Sequence, residues 1–375
     1  MKFIHTADLH LGKKLADFPL LPDQRHFLLD VLLLAAKKAK AEAILLSGDI
    51  YDTTSPGQAA ITLLDEFLTA CADSKIKVLL IPGNHDSAEK LSFLSQLVRK
   101  DGLYFVTELA DAEKPIEIGG VNFYCLPFLR HYDVNREYGA ETKSTEEAVR
   151  FMIEKMAIDR SRPNVILAHQ TVFPAGKEET LERSGSEEPS VGAQPNVASE
   201  VFSAFDYVAL GHIHKPQKVG ANAYYSGSPL AYHSDEANRD KFFNLVTMEG
   251  KAVTVSRWQI APLHRVRKIT GRWSELLSLE PSDDYVFLEL QEESRIDNAM
   301  AKARAIFPNC CAITYEESPV AASREDIPLP AGFDKNDPLR DLAAFYRLVA
   351  GEELSQQQEQ IAKDVFAELA KGEEE

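Results

Sequence analysis

The sequence predicts a layered α/β fold, followed by a small α+β unit and a pair of C-terminal helices. Three observations predict it. Short apolar runs alternate with helical segments over the first two thirds of the chain. Several of those runs are almost continuously apolar, as expected of strands covered on both faces. Beyond Pro262 the strand and helix signals shorten, then yield to a proline-containing stretch and two amphipathic segments.

Taken in order, Lys2–Ala7, Ala43–Ser47, Lys77–Pro82, Val121–Leu126, Val165–Ala168, Tyr207–Leu210 and Ala223–Ser226 read as strands, each bounded by Gly, Pro or polar residues. Between them Arg25–Lys40, Gln58–Ala72, Leu91–Lys100 and Thr145–Asp159 read as helices. Pro174–Ser199, rich in Pro, Gly, Ser and Glu, reads as a long loop. Residues 1–261 are expected to form one domain. Residues 262–317 form the second, with strands His264–Thr270, Tyr285–Gln291 and Cys310–Tyr315 around a helix Arg295–Phe307. Residues 318–336 read as a linker and 337–375 as two helices. Asp337 and Pro338 open the first, and Ser355 to Gln358 makes a capping box for the second. Leu339, Leu342, Phe345, Tyr346 and Val349 line one face of the first; Ile361, Val365 and Leu369, with Phe366 beside them, line the second.

The chain has 375 residues, with 45% hydrophobic and 26% charged, the composition of an ordinary globular protein. That excludes collagen-like, low-complexity and wholly disordered classes. Its length can bury a sizeable core without disulfides or a structural metal. Four cysteines show no C-x-x-C spacing, so a disulfide framework or zinc knuckle is not expected, and a reduced, cytoplasmic setting fits. No signal peptide or membrane span is legible. A net charge of −17 argues against coating DNA by bulk charge, though it leaves room for a local basic groove.

Five short motifs follow predicted strands: Asp8-Leu9-His10; Gly48-Asp49-Ile50-Tyr51-Asp52; Gly83-Asn84-His85-Asp86; Ala168-His169; and Gly211-His212-Ile213-His214. Loops at the carboxyl ends of strands in an open α/β sheet converge on one rim. A rim crowded with Asp, Asn and His is expensive for a fold unless those groups bind something. Carboxylate, amide and imidazole donors together suit Mn²⁺, Fe²⁺ or Zn²⁺. The set exceeds one ion's needs, so two ions are expected, clamping the attacking and leaving oxygens of a phosphate ester. Asp49 is the expected bridge between them. Residues two apart in an extended segment point the same way, which lets Asp8 and His10, or His212 and His214, reach one cluster.

In this order the motifs resemble the calcineurin-like metallophosphoesterase superfamily, whose fold is a β-sandwich flanked by helices. His5 to Gly12, Tyr207 to His214 and Ser226-Gly227-Ser228-Pro229-Leu230 resemble its DNA double-strand-break nuclease branch in particular. The resemblance spans the chain and is weak in letters beyond Pro262. It implies that Asp8, His10, Asp49 and His214 hold one ion and that Asp49, Asn84, His169 and His212 hold the other. It implies that His85 serves the leaving oxygen. It further implies a Mn²⁺-dependent 3′→5′ exonuclease and single-strand or hairpin endonuclease, working as a homodimer with a coiled-coil ATPase.

Plainer readings stand beside these. Asp52 is either an outer neighbour of the ligands or a loop acid; Asp86 either orients His85 or caps the next helix. Lys13, Lys14 and Arg130 are either phosphate contacts or solvated charges. His5 reads as a satisfied core residue. His26, His131, His233 and His264 have no metal-like context. Two other functions remain open: a phosphoesterase for a substrate other than DNA, and an assembly scaffold for the ATPase.

Overall fold

The computed structural model describes residues 1–93, 95–177, 180–185, 196–292, 294–316, 338–350 and 353–372. The expected 318–336 linker and the Asp337 cap lie outside them.

Two six-stranded sheets carry the fold. In the first, the order is Ala252–Gln259, Phe242–Glu249, Lys2–Thr6, Ala43–Ser47, Lys77–Ile81, Leu103–Phe105. The last four run parallel, and Phe242–Glu249 joins Lys2–Thr6 antiparallel. In the second, the order is Gln217–Val219, Ala223–Tyr225, Tyr207–Gly211, Asn164–His169, Val121–Leu126, Ile116–Ile118. Its four central strands are parallel and its two edges antiparallel.

The apolar runs read as strands covered on both faces, and alternation along each strand shows how. Ala43 and Leu45 face a core shared with Phe123, Val165, Leu167 and Tyr207 of the second sheet. Ile44 and Leu46 face the helical layer, among Phe27, Leu28, Leu64 and Phe67. On the far side Ile166 and Val208 pack with Val149 and Met152. The result is a sandwich of two sheets between two helical layers, the layered α/β class that the alternation predicts.

Some elements differ from expectation. The first helix begins at Leu21 and widens to π-helical bonding over His26–Leu32 before Lys40 ends it at φ 54°. Leu91–Lys100 is not one helix: Ala88–Ser92 and Ser95–Val98 are separate short turns. Asn196–Ala198, inside the expected long loop, is a strand paired with Thr171–Phe173. The hairpin Phe242–Glu249/Ala252–Gln259 is absent from the strands expected above.

Beyond Pro262, Val266–Gly271, Tyr285–Leu290 and Cys310–Tyr315 form a three-stranded sheet, with a helix at Ala299–Arg304. The chain divides into two compact units, Met1–Gln291 with Ile296–Thr314, and Glu292–Arg295 with Tyr315–Glu375. Tyr285 and Cys311 share a buried cluster with Leu15, Leu20, Leu230 and Tyr232, which explains why this sheet belongs to the first unit.

The second unit contains helices Pro338–Ala350 and Gln356–Gly372. The capping box forms: the Gln358 amide donates to Ser355 Oγ at 3.3 Å, and the Ser355 amide to Gln358 Oε1 at 2.9 Å. Gln358 Nε2 donates to Tyr346 Oη at 3.1 Å. Phe345, Ile361 and Val365 stay exposed. All four cysteines are free and buried. Among the described residues no helix is long and apolar enough to cross a membrane.

Candidate metal centre

All five motifs converge. Asp8 and His10 follow Lys2–Thr6, Asp49 follows Ala43–Ser47, and Asn84 and His85 follow Lys77–Ile81 in the first sheet. His169 ends Asn164–His169, and His212 and His214 follow Tyr207–Gly211 in the second. These are carboxyl ends of parallel strands, and the sandwich brings both rims together. Asp8, His10, Asp49, His169 and His214 are buried. Asn84, His85, Asp52 and Asp86 are half-buried, as is His212.

Asp49 lies at the middle. Its Oδ2 is 3.3 Å from His169 Nε2 and 3.7 Å from His10 Nε2, while its Oδ1 accepts the His85 backbone N–H at 3.0 Å. On one flank His10 Nε2 and His214 Nε2 face each other at 3.2 Å. On the other, Asn84 Oδ1 is 3.2 Å from His169 Nε2 and 3.0 Å from His212 Nδ1. Asp8 Oδ1 accepts the His212 backbone N–H at 2.9 Å, tying the two sheets' loops together. Donor atoms of Asp8, His10 and His214 lie within 4.8 Å of one another, as do those of Asp8, Asp49 and His169, and those of His10, Asp52 and His85.

The donor set fits divalent cations. His169 Nδ1 lies 2.8 Å from the Ser47 carbonyl, which can only accept, so Nδ1 carries the proton. A neutral His169 then turns a bare Nε2 toward two oxygen acceptors, Asp49 Oδ2 and Asn84 Oδ1. Three acceptors meeting in a buried site call for positive charge among them. Without a metal that charge is a second proton: burial lowers the His169 pKa, but the charge of Asp49 and its hydrogen bond outweigh it and raise it to about 9. A divalent cation meets the same demand. Asp49 itself is held well below the usual carboxylate range; burial opposes this, and the charge and hydrogen bond of His169 overcome it. Burial lowers His10 and His214, the latter also through His10. Burial and His169 lower His212 to about 3. These imidazoles are neutral at pH 7, the form that ligates.

The remaining candidates have the following surroundings. Asp86 accepts backbone N–H groups of Gly83, Ile50 and Tyr51 at 2.8–2.9 Å, locking the Asn84 loop to the Asp49 loop; Ser87 caps the following helix. Burial, then Asp49's charge, raises Asp86 to about 6 against those three donors. Asp52 lies 3.4 Å from His10 Nδ1 and accepts from Lys13 Nζ at 2.7 Å. Burial opposes ionisation there, but these partners lower its pKa to about 2. His85 Nδ1 donates to the Asp52 carbonyl at 3.1 Å, leaving Nε2 for other work. Lys14 is exposed, and Arg130 lies over the Phe128 and Tyr132 rings, with Phe128 packed edge-on against His169. His5 is fully buried between Tyr207 Oη and the Leu210 carbonyl, a satisfied core residue.

Backbone shape is part of the site. Asp8, His10, Asp49 and His212 all have positive φ, at 55°, 43°, 50° and 96°. At Gly83 a Cβ would collide with Asp49, so only glycine lets the two loops approach this closely. Sequence reasoning missed three supports. Tyr232 lies against the His10 and His214 rings and donates to the Leu9 carbonyl at 2.6 Å. Gln24 holds the Leu9 and His10 carbonyls. Buried Glu236 lies 4.0 Å from His214 Nδ1 and is paired with Lys241. None of the three lies in a motif; the only signal for Glu236 is an acid shortly after Ser226–Leu230.

The family model described as calcineurin-like phosphoesterase matches residues 1–216. The SbcD subunit of the nuclease SbcCD from Staphylococcus saprophyticus is 31% identical over 387 residues, covering 99% of this chain and 100% of that protein. The crystal structure of TT1561 of Thermus thermophilus superposes with a TM-score of 0.41 at 12% identity, covering 68% of this chain and 98% of that one. With a family match over more than half its length and an SbcD relative aligned end to end, this chain belongs to the calcineurin-like phosphoesterase family, in its SbcD branch, and is a metal-dependent hydrolase of phosphate esters.

Proposed function

We propose that this chain is the nuclease subunit of an SbcCD-type complex, a Mn²⁺-dependent enzyme that trims double-stranded DNA 3′→5′ and cuts single strands and hairpins. The observation that carries the reading is the end-to-end match to the SbcD subunit of an SbcCD nuclease, which extends past the catalytic motifs into the appended sheet and helices. In this reading Asp8, His10, Asp49 and His214 hold one ion. Asp49, Asn84, His169 and His212 hold the second, with Asp49 as bridge. When bound, such a pair supplies positive charge to the attacking and leaving oxygens of an in-line displacement.

The protein's own groups do the rest. Asp8, Asp49 and His169 are buried, so their donor atoms are fixed before a substrate arrives. Asp86, through three backbone N–H groups, fixes the loop that carries Asn84 and His85. His85 has its Nδ1 proton held by the Asp52 carbonyl, so the doubly protonated ring would give its Nε2 proton to the leaving ribose oxygen and become neutral. Lys13, Lys14 and Arg130, at the rim, contact flanking phosphates.

The complex is completed by a second copy of the chain and by an SbcC-type coiled-coil ATPase. Phe345, Ile361 and Val365, exposed on the C-terminal helices, support docking of the ATPase there. The catalytic domain is residues 1–261, the capping domain 262–317, the linker 318–336 and the docking segment 337–375.

The test is cleavage of a 3′-labelled duplex, a single strand and a hairpin in MnCl₂, with bis-p-nitrophenyl phosphate alongside, with and without the ATPase and ATP. Hydrolysis of the small diester with every DNA left intact would assign the site to another phosphoester.

A further inference from the structure

Two adjacent buried residues reach in different directions. Asp23 and Gln24, each about 2% exposed, lie on the short helix Leu21–Arg25. Gln24 Nε2 donates to the Leu9 carbonyl at 3.1 Å and the His10 carbonyl at 2.7 Å, and its Oε1 accepts the Gly12 amide at 2.9 Å. The carboxamide thus clamps the loop that carries Asp8 and His10 at three points. That loop needs a clamp, because both residues have positive φ and each costs ~1–3 kcal/mol to hold there.

Asp23 faces the other way. It accepts the His264 amide at 3.1 Å, His264 Nδ1 at 3.1 Å and Tyr285 Oη at 3.0 Å. His264 lies two residues before the strand Val266–Gly271 of the appended sheet, and Tyr285 opens the strand Tyr285–Leu290. One turn of helix therefore joins that sheet to the loop bearing His10. A second contact runs beside it: Tyr232 packs in the cluster with Tyr285 and Cys311, and its hydroxyl holds the Leu9 carbonyl.

We propose that Asp23 and Gln24 act as a positioning relay, in which seating of the 262–315 sheet on Asp23 sets, through Gln24, the His10 loop and hence the affinity of the metal centre. Neither residue touches substrate or metal. The relay rests on the metal-centre reading above, and it adds a mechanical input to it: anything that shifts the appended sheet changes metal occupancy at a site that the sheet does not itself line.

The experiment uses the full chain and MnCl₂ as the probe. Calorimetry gives the Mn²⁺ affinity, and hydrogen exchange follows the His264 and Tyr285 amides with and without the ion. In the unaltered protein Mn²⁺ should slow exchange at His264. Gln24→Ala should weaken Mn²⁺ by about 10–100-fold, the range for groups that orient metal ligands, and remove the effect of Mn²⁺ on His264. Gln24→Met, of similar length and without a donor, serves if the alanine variant fails to fold. Asp23→Asn should weaken Mn²⁺ several-fold, and the two substitutions combined should fall short of the product of their separate effects. Unchanged Mn²⁺ affinity in a folded Gln24 variant overturns the relay. So does an Asp23→Asn protein with a freely exchanging His264 amide and unaltered affinity. Failure of the unaltered chain to take up Mn²⁺ would instead overturn the metal-centre reading, and the relay with it.

Discussion

Neutralising Asp49 should empty both halves of the site while leaving the protein folded. Asp49→Asn keeps the side chain's shape and the Oδ1 acceptor for the His85 amide, so the Asn84–His85 loop stays tethered. What it removes is the negative charge whose Oδ2 lies 3.3 Å from His169 Nε2 and 3.7 Å from His10 Nε2. At about 4 Å and an effective dielectric of ~20, one carboxylate charge and a dication attract by roughly 8 kcal/mol. Water entering the position that Oδ2 leaves would recover part of this. A net loss of about 4 kcal/mol for each ion corresponds to roughly a thousandfold in Kd. Metal content by mass spectrometry after gel filtration, Mn²⁺ calorimetry and turnover of bis-p-nitrophenyl phosphate measure the effect. His85→Gln is the matched comparison: both ions retained, with turnover down by ~10²–10⁴-fold, the range for a general acid. Wild-type metal content in Asp49→Asn would refute the bridge. Loss of metal in His85→Gln would make His85 a ligand and refute its assignment to the leaving oxygen.

Four further outcomes are expected. Deleting residues 337–375 should leave Mn²⁺-dependent cleavage of small substrates near normal and abolish co-purification with the ATPase; unchanged co-purification would place docking elsewhere. The isolated chain should neither bind nor hydrolyse ATP, since it contains no G-x-x-x-x-G-K-[ST] run, and a filter-binding assay with labelled ATP checks this. Affinity for a short duplex should fall linearly with salt on a log–log plot despite the net charge of −17, through released counterions; a flat plot would point away from nucleic acid. His5, whose pKa burial lowers from 6.5 to about 3, binds its proton in the unfolded chain before the folded one, so stability should be lost as pH falls from about 6.5 toward 3. The slope is about 1.4 kcal/mol per pH unit and the total at most roughly 4–5 kcal/mol; urea titrations of His5→Gln against wild type should diverge below pH 6.5, and parallel profiles would refute the assignment.

The strands of the sandwich and the motif residues were legible because each rests on local pattern. Ala43–Ser47 is a continuous apolar run, and Asp49 follows it directly. The Phe242–Glu249/Ala252–Gln259 hairpin is equally patterned, with alternating residues around Gly250, yet it falls outside the strand–helix alternation of the preceding chain. Leu91–Lys100 has helical composition, but Phe93 leaves the helix at ψ 124° and splits the segment. The supports of the site were hidden for a different reason. Gln24 reaches its partners 12–15 residues away and Tyr232 reaches back 223–224 residues, distances at which sequence carries no periodic signal.

The backbone of the site ties these two kinds of information together. Among the described residues nine non-glycine positions have positive φ, and four of them are Asp8, His10, Asp49 and His212. A side chain in that region is strained, and strain persists only where neighbours over-determine it. The Asp8 amide donates to the Gly48 carbonyl and the His10 amide to the Asp49 carbonyl, both at 3.0 Å, so two strained loops hold each other. Gln24 and Tyr232 then fix the carbonyls of the first loop, and Asp86 fixes the second. Strand geometry alone would let residues two apart point the same way, which was the expectation for Asp8 and His10. The left-handed turns do something else: they end the strand at once and fold its next residues over the rim, so that Asp8, His10 and Asp49 meet within a few ångströms instead of spreading along the sheet edge. The spacing of the motifs therefore records a turn rather than a strand, and the conformational energy of that turn is what the distant, unpatterned residues are there to supply.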